Sequence, residues 1–223
     1  MTLKILVAGG TGRTGRIIVS KLVARGVHPH LIVRDIPKAQ ALFGDEVTLH
    51  PGNVRDPESL LQPMQGVTAV ISAVGTGTPV GGNCPKRVDY EGVVNLIQAA
   101  QGADVQRFIL ISSIAVTHPE HPLNHFGRIL EWKRKAEIAL QHSEMDYAII
   151  RPGGLTDAPG GSHSLIFSQG DQVMGTISRE DLAEICLQAL QQSDLVRVTF
   201  EAIQAENKGR LNWAGLFSSL LPD

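Results

Sequence analysis

The residues with the plainest chemical meaning lie near the start of the chain, in the run Gly9-Gly10-Thr11-Gly12-Arg13-Thr14-Gly15. It reads as GxxGxxG from Gly9 or as GxGxxG from Gly10. It follows the apolar segment Ile5-Leu6-Val7-Ala8 and leads into Ile18/Leu22 and Val19/Val23 at i,i+4 helical spacing. At a strand-to-helix junction, glycines permit a tight turn, a close approach of backbone to a pyrophosphate, and packing of the helix on the strand. The helix start adds unpaired N–H groups and the positive end of its dipole. Outside that context, a glycine-rich turn need hold no ligand.

A second position tests this reading. About 20 residues after the loop, at the end of the next strand, an acidic residue would take the ribose hydroxyls of NAD. This chain has Val33-Arg34-Asp35. Arg34 stands where a 2′-phosphate would lie, and Arg13 in the glycine loop could add a second positive charge. A guanidinium donates paired hydrogen bonds to phosphate. The pattern favours NADP, and Asp35 keeps NAD open because its carboxylate could swing in.

The elements that must position these residues alternate. Apolar strands are expected at residues 4–8, 30–33, 47–50, 69–72, 107–112 and 147–151. Helices are expected at 12–25, 38–43, 57–64, 88–101 and 127–142. Strands without polar alternation are buried on both faces, as in a parallel sheet covered by helices. The expected fold class is therefore α/β, a Rossmann-type doubly wound parallel sheet. After Arg151 the pattern changes. Glycines and prolines make residues 153–172 mostly loop. Ser178-Arg179-Glu180-Asp181 resembles a capping box opening a helix to about Gln191, followed by a strand over 197–201 and an amphipathic segment over 213–221. One domain is expected, with a dinucleotide-binding core at 1–151 and a substrate-side extension at 152–223.

Composition narrows the classes. The chain has 223 residues and a formal net charge of −2, which gives no support to nucleic-acid binding, since neutralising phosphates needs a basic excess. Hydrophobic residues at 43% and charged residues at 19% are those of an ordinary globular protein. Cys84 and Cys186 are far apart, with neither disulfide nor zinc spacing, which suggests a reducing compartment. No apolar run approaches the ~18 residues of a membrane span, and the first one lacks a signal-cleavage pattern. A soluble, cytoplasmic protein is expected.

Taken together, Gly9-Gly10-Thr11-Gly12, Gly52-Asn53-Val54, Val88-Asp89-Tyr90-Glu91-Gly92, Ile111-Ser112-Ser113, Trp132-Lys133 and Ile150-Arg151-Pro152-Gly153 carry a resemblance. Over residues 4 to about 190 the chain resembles the atypical short-chain dehydrogenase/reductase superfamily, in its NmrA-like branch. The resemblance implies a cofactor held by Gly9, Thr11, Gly12, Arg13, Thr14, Gly15 and Arg34. Asn53 and Val54 would border the adenine, and Asn53 stands where the family usually has Asp. Ser72, Ala73, Val74 and Gly75 would lie on the nicotinamide side, Ser112, Pro152 and Gly153 would also bind the cofactor, and Lys133 would contact its ribose. Ser113 matches the family's active-site serine and Lys133 its lysine, so these two are the candidate catalytic residues.

One departure redirects the chemistry. Most of these enzymes use Tyr-x-x-x-Lys, but four residues before Lys133 stands Ile129, and four before Lys135 stands Glu131. The only tyrosines are Tyr90 and Tyr147. Carbonyl reduction and sugar epimerisation need a general acid at the substrate oxygen, so they are disfavoured. Family members without the tyrosine include the biliverdin-IXβ/flavin reductase type and NADPH-sensing or assembly proteins. A flavin or linear tetrapyrrole needs mainly ring alignment. The leading expectation is thus an NADPH-dependent reductase of a flat conjugated acceptor. The alternative is a non-catalytic NADP(H)-binding sensor or assembly factor, and an epimerase or isoflavone-reductase-like enzyme follows. A monomer or homodimer without a bound metal is expected. His118, His121 and His125 lie in a segment broken by Pro119 and Pro122, which reads as a substrate-side loop, with His118 a candidate proton donor.

Overall fold

The computed structural model describes residues 4–207 and 212–223. The remainder of the expected domain, residues 1–3 and 208–211, lies outside the described residues. The first half is strictly alternating: β1 (Ile5–Ala8), α1 (Arg13–Ala24), β2 (His30–Val33), α2 (Ile36–Phe43), β3 (Thr48–Pro51), α3 (Glu58–Met64) and β4 (Ala69–Ser72). It continues through α4 (Gly92–Gly102), β5 (Arg107–Ile111), α5 (Ile129–Gln141) and β6 (Asp146–Pro152). The second part holds β7 (Gly154–Thr156), β8 (Leu165–Ser168), β9 (Thr176–Ser178), α6 (Arg179–Gln191), β10 (Val198–Gln204) and α7 (Trp213–Ser218).

The main sheet has the order β3-β2-β1-β4-β5-β6-β10-β8, parallel except for β8, which runs antiparallel to β10. Alternate side chains feed two apolar layers. Ile5, Val7, Ile71 and Ile109 pack with Ile18 and Leu22 of α1 and Leu182 and Ile185 of α6. Leu6, Val70, Phe108 and Leu110 pack with Leu60, Leu96 and Leu140 on the other face. This double burial is why the strand sequences are apolar throughout. The chain order reverses between β1 and β4, where Ala8 lies opposite Ser72. Gly9 and Ala73 therefore leave the sheet side by side at the switch point, where open α/β sheets bind ligands.

One helix boundary shifts, and three short strands were not expected. Residues 153–172 contain β7 and β8, short strands that the glycines and prolines around them conceal. Thr176–Ser178 forms β9, which pairs with β7 in a second, two-stranded sheet. The helix expected over 88–101 begins earlier, as a π-helical turn over Lys86–Glu91 that runs into α4. Ser178 is the N-cap of α6: its Oγ accepts the Asp181 N–H at 2.9 Å and donates to Asp181 Oδ2.

Candidate nucleotide and acceptor site

The glycine loop is built by collision avoidance. Gly9 has φ +81°, and a Cβ there would stand 2.5 Å from the Ala73 carbonyl oxygen. A Cβ on Gly15 would run into the Gly9 carbonyl itself. The turn closes through the Gly12 N–H, which donates to Gly9 O at 3.0 Å. Gly12 then serves as N-cap of α1 with no side-chain hydrogen bond, so the first-turn N–H groups keep their capacity for an anion. This is the arrangement a dinucleotide pyrophosphate needs.

A cleft of about 380 Å³ opens above the loop. Gly9, Thr11, Gly12, Arg34, Asn53, Val54, Ala73, Val74 and Gly75 all line it. Arg13, Thr14, Gly15, Ser112, Ser113, Lys133, Pro152 and Gly153 stand outside that lining. Arg13 is ion-paired with Asp157, which also accepts from Arg179 Nη1 at 2.8 Å. The Asp35 carboxylate caps α2, accepting the Lys38 N–H at 2.9 Å. Asn53 Oδ1 already accepts the Arg55 N–H at 3.1 Å, which leaves one lone pair and the amide NH₂ for an adenine.

Two further cations line the cleft and were not anticipated, Lys38 and Arg55. Lys38 sits in the first turn of α2, where the helix dipole disfavours a cation unless an anion is held beside it, a signal the sequence did carry. Arg55 Nη1 donates to Gly82 O at 2.8 Å and so joins the loop after β3 to the loop after β4.

At the opposite end, β5 and β6 continue their ladder past the sheet: Ser112 N–H donates to Ile150 O at 2.8 Å and Ile114 N–H to Pro152 O at 3.1 Å. Ser113, between them, is half-buried, while Ser112 Oγ is buried without a partner among the described residues. A Cβ on Gly153 would lie 2.5 Å from Gly175 O, so a glycine is required where β6 leaves the sheet beneath the substrate-side strands. Lys133 Nζ lies 3.0 Å from Asp89 Oδ1, and Asp89 Oδ2 accepts the N–H of Thr76, a cleft residue.

Neither tyrosine is among the residues that line the cleft. Ile129 opens α5. Tyr90 stacks on Trp132 with ring centroids 5.7 Å apart. The Tyr147 hydroxyl donates to Asp223 Oδ2 at 3.0 Å, and burial together with that carboxylate pushes it up to about 12. Below the β6 end lies a buried ion cluster in which Arg151 donates to Glu137 at 3.0 and 2.8 Å and to Glu201 at 3.4 Å.

Residues 9–193 match the NAD(P)H-binding family. The chain is 31% identical to sanguinarine reductase of Eschscholzia californica, over 89% of this chain and 88% of that protein. It is 28% identical to the photosystem II assembly factor Ycf39 of Synechocystis, over 90% of this chain and 62% of that protein. The solved structure of ChuY, an anaerobillin reductase from Escherichia coli O157:H7, superposes with a TM-score of 0.79 at 24% identity, covering 93% of this chain and 100% of that one; this likeness is one of fold.

Proposed function

Since the chain belongs to the NAD(P)H-binding family, we propose that it is an NADPH-dependent reductase of a flat conjugated acceptor, a flavin or a linear tetrapyrrole. The observation that carries this reading is a cleft lined by the glycine loop, Arg34 and Asn53, with neither of the chain's two tyrosines among its lining residues. NADPH, when bound, supplies the hydride. The first-turn amides of α1 hold its pyrophosphate, and Arg34 and Lys38 hold the 2′-phosphate. Ser113 offers the acceptor a hydrogen bond at the β5 end. A planar acceptor needs alignment more than acid catalysis. The name of the plant relative, a reductase at 31% identity, supports an enzyme.

The second reading, a nucleotide-binding protein without turnover, draws on the commitment of Lys133 to Asp89, which removes a proton-relay member, and on the name of the assembly-factor relative. Single-turnover NADPH oxidation with excess FMN, followed by absorbance from about pH 6 to 10, separates the two. The reductase reading expects turnover without the high-pH fall of a titrating tyrosine. Tight NADPH binding with no oxidation at any pH favours the second reading.

A further inference from the structure

Four hydrogen bonds converge on one residue far from the motifs. Asp171 follows β8, is 3% exposed, and has φ +59°, a left-handed conformation that costs a non-glycine residue about 1 kcal/mol. Its Oδ1 accepts the Ala115 N–H at 2.6 Å, and its Oδ2 accepts the Thr117 N–H at 2.9 Å and the Thr117 Oγ1–H at 2.8 Å. Its carbonyl oxygen lies 3.1 Å from His118 Nε2, which must therefore be the protonated nitrogen. Ala115 is also left-handed, at φ +64°. The segment held in this way begins two residues after Ser113 and has no ladder of its own beyond Ile114.

Loops leaving a strand end are ordinarily among the softest parts of a fold. Here the softness is removed by a charge. Burial works against the Asp171 carboxylate, but the bonds from Thr117 and Ala115 and the nearby Arg151 guanidinium outweigh it and hold its pKa below the ordinary value. Arg151 is itself fixed by Glu137 and Glu201. The strain at Asp171 and Ala115 persists because the surroundings over-determine both positions.

We propose that Asp171 is a positioning residue of the reaction site: its carboxylate fixes the 115–118 turn and thereby the place of Ser113 beside the acceptor. The proposal rests on the reductase reading for its kinetic part only. A shift of about 1 Å in a positioned group costs up to about a hundredfold in rate. Asp171→Asn keeps the shape and one acceptor oxygen but gives up the charge and one set of bonds, and Thr117→Val removes a single bond.

The experiment combines amide exchange over residues 113–118 with NADPH affinity and single-turnover oxidation with FMN. Asp171→Asn is expected to speed exchange at Ala115 and Thr117, to lower turnover about ten- to a hundredfold, and to leave NADPH affinity within about twofold, with Thr117→Val intermediate. Ser178→Ala, which uncaps α6 away from this turn, provides a variant of reduced stability in which the segment keeps its protection. Unchanged exchange in Asp171→Asn overturns the proposal, as does a loosened segment with unchanged turnover. A fall in turnover that Ser178→Ala reproduces also overturns it. If the unmodified protein oxidises no NADPH with FMN, the reductase reading falls alone, and the exchange readout decides the clamp.

Discussion

Lys133 and Asp89 form a closed pair: the ammonium lies 3.0 Å from a carboxylate that is wholly buried, behind the wall of the cleft. The two partners are unequally placed, with the lysine side chain 15% exposed and the aspartate side chain 0% exposed. Lys133→Met therefore strands a buried charge and is expected to cost about 3–5 kcal/mol. Asp89→Asn leaves an ammonium that can reach water and keeps an acceptor for Thr76, so it costs less. The double variant should lose less than the sum of the two. Urea unfolding of the three variants measures the coupling, and strict additivity would remove the pair as a unit. NADPH affinity read on Lys133→Met decides whether the lysine also reaches a ribose.

The 2′-phosphate assignment makes a sharper claim about selectivity. Arg34→Ala should weaken NADPH binding about ten- to a hundredfold and leave NADH nearly unchanged. Lys38→Ala should act in the same direction and less strongly, because an ammonium makes single contacts where a guanidinium makes paired ones. Titrations of both nucleotides measure this, and equal weakening of the two would show that these cations hold something other than the 2′-phosphate.

The glycine loop separates binding from folding. At Gly12 an added Cβ meets only Gly9 O, at 3.2 Å, so Gly12→Val should fold while its branches obstruct the pyrophosphate. At Gly15 the same atom collides with the Gly9 carbonyl, so Gly15→Ala should disturb the loop itself and cost roughly 1–3 kcal/mol. Melting curves and calorimetry with NADPH on both variants test the contrast. Normal nucleotide binding by Gly12→Val would move the pyrophosphate elsewhere.

A pair of histidines gives the fold an acid limit. His30 Nδ1 and His50 Nε2 are 2.8 Å apart on neighbouring strands. Burial, with Lys4 and His50 nearby, lowers His30 from 6.5 to about 4, and burial lowers His50 too. The unfolded chain then binds more protons than the fold between these values, so stability is fully present above pH 6.5 and declines as pH falls towards about 4. The melting temperature should follow that course, and His30→Gln should make it shallower. An identical pH dependence in the variant would place the acid sensitivity in other groups.

What was legible in the sequence follows from range. Strands β2 and β4 were read to the residue, because apolar segments bounded by breakers carry their own limits. The glycine loop and Arg34 were legible because their spacing is dictated by a helix start and a strand end. β7 and β8 were not, since short strands among glycines take their identity from partners that lie elsewhere in the chain. The capping role of Asp35 was not legible, because a carboxylate after β2 can serve a ribose or a helix cap, and the bond from the N–H of Lys38 appears only in three dimensions. Asp171 had no local signal, since its bonds reach back more than fifty residues to Ala115 and Thr117.

The place of β10 has a consequence for how the chain is assembled. It lies between β6 and β8, and β8, earlier in sequence, has no other neighbour in the sheet among the described residues. During synthesis one face of the nucleotide half stays open until α6 has emerged, and β8 must wait longer still, for residues 198–204. The turn that carries Asp171 is therefore expected to dock only once β10 is in place. A nascent chain halted before β10 would carry a finished glycine loop beside an acceptor side still unmade.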